Sequence, residues 1–271
     1  MSKIISEENY VKRNETIDVA KGIGIFLMVL GHMHINEQLN LFIYSFHMPL
    51  FYIISGFLYK NSGGYYWIKK KAKSLLVPYF CFGIVYILIS FVLSAGDLEI
   101  LKRNAIGLFY ESTNNLPIES ALWFLTSMFF LLIIVSILEK IDFNSIKLVL
   151  IVFLTVVGSL FPNVMGFRLP MSIDTSLVTI GFFYVGYYIK KHFIDKKSVN
   201  KCVLCSLLTV ICSVSLFVIQ KNEQLNIRLG NWGIFPITYF TAIFISVFTI
   251  YFSSIIKKHT KVIKKNLSIY R

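Results

Sequence analysis

The sequence predicts an all-α fold: a polytopic membrane bundle of about eight transmembrane helices with both termini in the cytoplasm. Three observations carry that expectation. The 271 residues are 56% hydrophobic and only 15% Asp, Glu, Lys or Arg, with a mean hydropathy of +0.68. Soluble domains carry about 25% charged residues, so this chain lacks the charge to cover its own apolar surface in water and needs lipid as its solvent. The few charges lie between long uncharged runs, and the basic ones favour alternate gaps between those runs.

The uncharged runs are Gly22–Asn36, Gln38–Tyr59, Ser74–Gly96, Ser120–Leu138, Leu148–Phe167, Thr175–Ile189, Cys202–Gln220 and Leu229–Ile256. A spanning helix needs roughly 20 mostly apolar residues. The first and sixth runs are shorter and reach that length by taking in flanking residues, such as Ile17 to Lys21 in the first. With the N-terminus inside, 22 of the 27 Lys and Arg fall in cytoplasmic segments, leaving Lys102, Arg103, Arg168, Lys221 and Arg228 outside. That asymmetry sets the orientation and places the chain as a multi-pass protein of the cell (plasma or inner) membrane. Residues 1–15 form a cytoplasmic N-terminal segment, residues 257–271 a basic cytoplasmic tail, and residues 1–271 a single membrane domain without an internal repeat. Glu7, Glu8 and Glu15 precede the first run, unlike the start of a cleavable signal peptide.

The formal net charge of +13 is spread through loops beside anionic lipid and forms no basic face, so no nucleic-acid partner is expected. Cys81, Cys202, Cys205 and Cys212 all lie in apolar runs. The Cys202-x-x-Cys205 spacing has no second pair and no nearby His, so no metal site is expected.

Ionisable residues inside lipid are costly and mark functional sites. The first helix holds Asp18, Lys21, His32 and His34. At 100° per residue, Lys21 and His32 return to within about 20° of one face, and Asp18 lies within about 60° of Lys21. His34 points about 200° away from His32. Lys21 and His32 are roughly 16 Å apart along the axis. The second helix carries His47 in Phe46-His47-Met48-Pro49, where Pro49 removes a helical hydrogen bond. Ser55 and Gly56, further along, permit close approach of a neighbour. The two imidazoles are expected to face one cavity; Trp123 and Trp232 read as packing or interface anchors, with a wall of that cavity the alternative for Trp123. Position alone also fits blander roles: Lys21 snorkelling to the interface with Asp18 pairing to it, and a histidine packed between helices with its hydrogen bonds satisfied.

The chain has no Gly-x-Ser-x-Gly elbow and no phosphate-binding Gly-Lys-Ser/Thr loop, so serine hydrolysis and ATP hydrolysis lack their parts. An imidazole takes a proton from an alcohol, and a cation some turns away holds an anionic donor, which suits acyl transfer. The same polar stripe also suits a transporter or exporter moving a glycan or small molecule without making bonds, or a non-catalytic scaffold.

At these residues the sequence resembles a known family. Arg13-Asn14-Glu15-Thr16-Ile17-Asp18-Val19-Ala20-Lys21-Gly22 followed by Leu30-Gly31-His32 resembles the start of the acyltransferase 3 family, whose Arg/Lys-x10-His motif the Lys21-to-His32 spacing matches. Phe42-Ile43-Tyr44-Ser45-Phe46-His47-Met48-Pro49 through Ser55-Gly56 is similar to its second helix, in the form of the fucose 4-O-acetylase-like branch. Lys70-Lys71-Ala72-Lys73 before Leu75-Leu76-Val77-Pro78-Tyr79, Leu122-Trp123-Phe124-Leu125 and Gly181-Phe182-Phe183-Tyr184-Val185-Gly186 continue the likeness.

The resemblance implies a membrane enzyme that moves an acyl group, usually acetyl from acetyl-CoA, onto a carbohydrate hydroxyl. It implies His32 as the catalytic base, with Asp18 and His47 supporting it. Lys21, Lys70 and Lys73 are then the cations that hold the acyl-CoA, and no metal is required. Members of that branch usually have about ten helices, and Asn266-Leu267-Ser268-Ile269-Tyr270 is similar to the lead-in to a further one, so the family's last helices are expected to be missing here.

Overall fold

A helix start leaves backbone amides unpaired, and inside a membrane there is little water to take them. Asn14 accepts the Ile17 N–H at 3.5 Å to open the first helix, and Asn36 accepts the Gln38 N–H at 2.9 Å to open the second. Asp97 opens a third in the same way, accepting from Glu99 and Ile100. Each such cap stabilises its helix by about 1 kcal/mol. The computed structural model describes residues 14–33, 36–60, 64–110, 122–193 and 225–269. In chain order the helices are α1 (Glu15–Gly31), α2 (Glu37–Leu58), α3 (Tyr65–Leu93), α4 (Leu98–Phe109), α5 (Trp123–Leu138), α6 (Asn144–Met165), α7 (Ile173–Phe193) and α8 (Ile237–Ile269). A 3₁₀ turn, Pro170–Ser172, precedes α7. Among the described residues there is no strand, and one isolated antiparallel bridge, Asn226 with Asn231, ties a short hairpin ahead of α8.

Four of these helices contain a stretch long and apolar enough to cross a membrane: Glu37–Leu58, Tyr65–Leu93, Asn144–Phe161 and Ile237–Lys257. The apolar helix α5 is shorter, at 16 residues. Helix α1 stops at Gly31, with His32 as its C-cap, rather than running on to Asn36, which caps α2. His34, Cys202, Cys205, Cys212 and the Cys202–Gln220 run lie outside the described residues.

Helix α2 is the centre of the bundle. It packs most extensively on α7, then on α8 and α1. In lipid there is little hydrophobic force between helices, so close packing and hydrogen bonds hold them. Both are visible at α2. A side chain at Gly56 would collide with the Phe183 carbonyl, and one at Gly186 with the Ile53 carbonyl, so the two backbones touch. Tyr52 donates to the Ser127 hydroxyl at 2.8 Å, Ser176 to the Ser127 carbonyl at 2.9 Å, and Tyr239 to the Val178 carbonyl at 3.0 Å, linking α2, α5, α7 and α8. Other buried hydroxyls bond back to their own helix, as Thr155 does to Ile151 and Thr249 to Ile245 (2.8 Å each). Helix α3 is peripheral. It buries only Tyr79, Gly83 and Ile87, packs on α5 and α4, and turns Phe82, Leu88, Val92 and Leu93 outward. An apolar surface of that extent belongs in lipid.

Candidate functional site

Among the described residues two cavities border α2, one at its middle and one at its C-terminal end. The smaller, about 160 Å³, is lined by Tyr44, His47 and Met48 of α2, Trp123 at the start of α5, and Leu225, Asn226, Ile227, Arg228 and Leu229 of the hairpin. His47 is 5% exposed, and its Nδ1 lies 2.8 Å from the Ile43 carbonyl. A carbonyl oxygen only accepts, so Nδ1 carries the hydrogen and donates. In the neutral ring this leaves the lone pair on Nε2, the nitrogen able to receive a proton.

The two histidines expected to share a cavity are joined more loosely than that. His32 caps the C-terminus of α1, is exposed, and is not among the residues lining the 160 Å³ cavity. The ring of Tyr44 stands between them, with its centroid 6.4 Å from that of His32 and 5.1 Å from that of His47, edge-on to both. Trp123, expected first as a packing or interface anchor and only alternatively as a wall, lines the cavity. Asp18 and Lys21 are half-buried on α1 and line neither cavity.

The larger cavity, about 690 Å³, lies where α2 ends. Ser55, Leu58, Tyr59, Lys60, Trp67, Lys70, Lys71, Ser74 and Leu75 line it from α2 and α3, and Phe124, Met128 and Leu132 from α5. Of the two α3 lysines that the resemblance singles out, Lys70 lines it and Lys73, three residues on, does not. Lys71 sits 5.7 Å over the ring of Trp67, a cation–π contact. Burial, with Glu139 and Tyr187 adding to it, pushes the Tyr59 phenol up to about 12. Its hydroxyl therefore stays protonated, and among the described residues it has no hydrogen-bond partner. Behind it, Glu139 accepts from Lys147 at 3.2 Å and from Tyr184 at 2.9 Å, and Lys190 donates to the Tyr59 carbonyl at 2.8 Å.

Sequence reasoning missed several of these residues. Tyr44 and Tyr59 were two aromatics among many. Arg168 and Asp174 form a buried ion pair beside the small cavity, with side chains 10% and 1% exposed. The available signal was scarcity, since Arg168 and Arg228 are two of only five basic residues assigned to the outer segments.

Comparison with known proteins adds one finding to this geometry. Residues 14–266 match a family model described as an acyltransferase domain, nearly the whole chain. No curated protein and no solved structure gives a significant match.

Proposed function

The chain belongs to the acyltransferase 3 family of membrane acyltransferases, and from that premise we propose that it transfers an acetyl group from acetyl-CoA to a hydroxyl of a cell-surface carbohydrate or its lipid-linked precursor. One observation carries this reading. A single helix puts His47 in a small polar–aromatic cavity at its middle and leads at its C-terminal end into a wide cavity lined by Tyr59 and three lysines.

In this reading the wide cavity takes the donor. Lys60, Lys70 and Lys71 meet the phosphates of CoA, since ammonium groups hold phosphate oxygens by charge-assisted hydrogen bonds. The carrier's arm then runs along the bundle toward His32, roughly 16 Å beyond the level of Lys21. The acceptor sits in the small cavity, anchored at Nε2 of His47, with the hydroxyl to be acylated projecting past the ring of Tyr44 toward His32. His32, outside the cavity, takes that hydroxyl's proton as the oxygen attacks the thioester carbonyl. The carbon–sulfur bond breaks, an ester forms, and the proton passes on to the departing CoA thiolate. Asp18 supports the polar face of α1, and Lys21 supplies its cation.

The eight-span topology with both ends cytoplasmic belongs to the same proposal and rests on the 22-to-5 division of Lys and Arg. In a cysteine-free background, Lys102→Cys should react with an impermeant maleimide from outside and Lys140→Cys only from inside; the reverse pattern overturns the orientation. The functional test is CoA release from acetyl-CoA by the reconstituted protein, with and without carbohydrate acceptors. Carbohydrate-dependent release with acetyl recovered on the sugar is the expected result. Carbohydrate moved across the membrane with no CoA released would overturn it.

A further inference from the structure

The wall that closes the small cavity does not belong to the helix that carries His47. Five of the nine lining residues, Leu225 to Leu229, come from the hairpin ahead of α8. Its own bonds are all local: Asn226 and Asn231 exchange two backbone hydrogen bonds of 2.9 and 3.0 Å, and in the turn between them the Leu229 and Gly230 N–H groups donate to the Asn226 and Ile227 carbonyls at 3.1 and 3.2 Å. A hairpin that short does not hold its shape alone.

Arg168 holds it from outside. This side chain, in the turn between α6 and α7, donates through Nη1 to the Arg228 carbonyl at 2.7 Å and through Nη2 to the Thr175 hydroxyl at 2.9 Å. Its Nε donates to the Asp174 carboxylate. The planar guanidinium addresses acceptors on two elements at once, the first turn of α7 and the hairpin, which an ammonium on a flexible stem does not do. Burying both charges is costly, and what the pair returns is a fixed position for the hairpin. Arg168 does not line the cavity, so it acts on a bound molecule only through the backbone of Arg228.

The cavity's size and lining point to its occupant. An apolar cavity of about 150 Å³ holds benzene, and this one, at about 160 Å³, has room for at most one ring, whose outer hydroxyls would reach beyond it. Its chemistry is mixed: the rings of Tyr44 and Trp123 offer flat apolar faces, while Asn226, Arg228 and His47 offer groups that bond hydroxyls. Aromatic faces with a polar rim suit one sugar ring. We propose that this cavity is the acceptor subsite, sized for one sugar unit, and that Arg168, oriented by Asp174, is its positioning residue, fixing the Leu225–Leu229 wall against Trp123 and His47. This rests on the acyl-transfer reading above.

The test is CoA release by the reconstituted full chain, titrated separately with acetyl-CoA and with a panel of neutral and anionic methyl glycosides. Arg168→Lys keeps the charge but loses the fork. It should raise the glycoside concentration for half-maximal rate on the order of tenfold, the loss of one hydrogen bond from a charged donor, while KM for acetyl-CoA stays at the wild-type value. Thr175→Val, a milder change that leaves the ion pair in place, should move the glycoside value in the same direction by less and carries the test if Arg168→Lys fails to fold. No change in glycoside dependence in either variant, or an equal change in KM for acetyl-CoA, overturns the assignment of Arg168 while leaving acyl transfer intact. A wild-type protein that releases CoA with no glycoside of the panel overturns the carbohydrate reading, and the subsite with it.

Discussion

The two cavities share α2 and are built in opposite ways. At the C-terminal end of α2 three lysines, Lys60, Lys70 and Lys71, join buried Tyr59, Met128 and Leu132 in the lining, and α3, which carries two of those lysines, buries three residues of its 29. Around His47 no lysine lines the cavity, and its walls are His47 and Trp123 at 5% exposure, Leu225 at 4% and Ile227 at 3%, with Leu229 exposed at the edge. Holding a polyanion needs cations of adequate reach and tolerates loose geometry, because charge acts over several ångströms. Moving a proton from a chosen hydroxyl tolerates almost none, and an ångström of misplacement costs about 10²-fold in rate. Under the proposed acyl transfer, the wide cavity would serve capture and the small one placement.

The comparison breaks most completely if the shared helix is displaced. Gly186→Val would drive a side chain into the Ile53 carbonyl, and neither neighbour there is a side chain able to swing away. The expected outcome is loss of monodisperse protein in detergent, read by size-exclusion chromatography; a well-behaved, active variant would refute the backbone contact of α2 and α7. Next in size is His32→Ala, which should cut acyl transfer by about 10²–10⁴ while acetyl-CoA binding stays intact. His34→Ala, two positions away, should keep most activity in the same CoA-release assay, and equal loss in both would indicate a folding effect. His47→Ala should fall between these two, since it removes the group that anchors the acceptor. A larger loss there than in His32→Ala would exchange their roles.

Effects at the wide cavity should be smaller and salt-sensitive. Lys70→Ala should raise KM for acetyl-CoA several-fold, about 1 kcal/mol or less for one exposed cation, with kcat unchanged and the difference shrinking at high salt. Lys21→Ala should weaken donor use while Lys21→Arg keeps it, since either side chain pairs with an anion. The smallest effect is Lys73→Ala, within about twofold in the same KM measurement, because Lys73 does not reach the cavity wall. Equal shifts for Lys70→Ala and Lys73→Ala would mean that the lysines act as a diffuse field and the cavity does not select among them.

Much of the bundle was legible because lipid imposes a simple rule: uncharged runs of sufficient length become helices. The rule failed at the end of α1, where no charge interrupts the run, yet the helix stops at Gly31 and Asn36, hidden inside the run, caps α2. Helical arithmetic brought His32 to the polar face of α1 but could not say that the chain would end its helix at the preceding residue. Lys70 and Lys73 differ for a similar reason: three positions separate them by about 60° around a helix, and only the packing of α3 on α5 says which side of that angle is lined. Arg168 and Asp174 were out of reach. Between them lie Met171 and Ser172 with φ of 51° and 59°, so no helical period connects the two, and their target carbonyl at Arg228 is 60 residues further along.

The touching backbones at Gly56 and Gly186 leave α2 no freedom to slide or turn against α7. The stretch from His47 to Tyr59, roughly 18 Å of helix, is therefore a gauge of constant length, with the small cavity at one mark and the wide cavity at the other. A gauge measures reach. Under acyl transfer, what it tests is the length of the arm that carries the acyl group: a short thioester bearing the same acetyl group but no long phosphorylated tether would meet only one of the two marks. Adjustment of the wider mouth falls to α3, the one long helix here that is held at its rim by so few buried contacts.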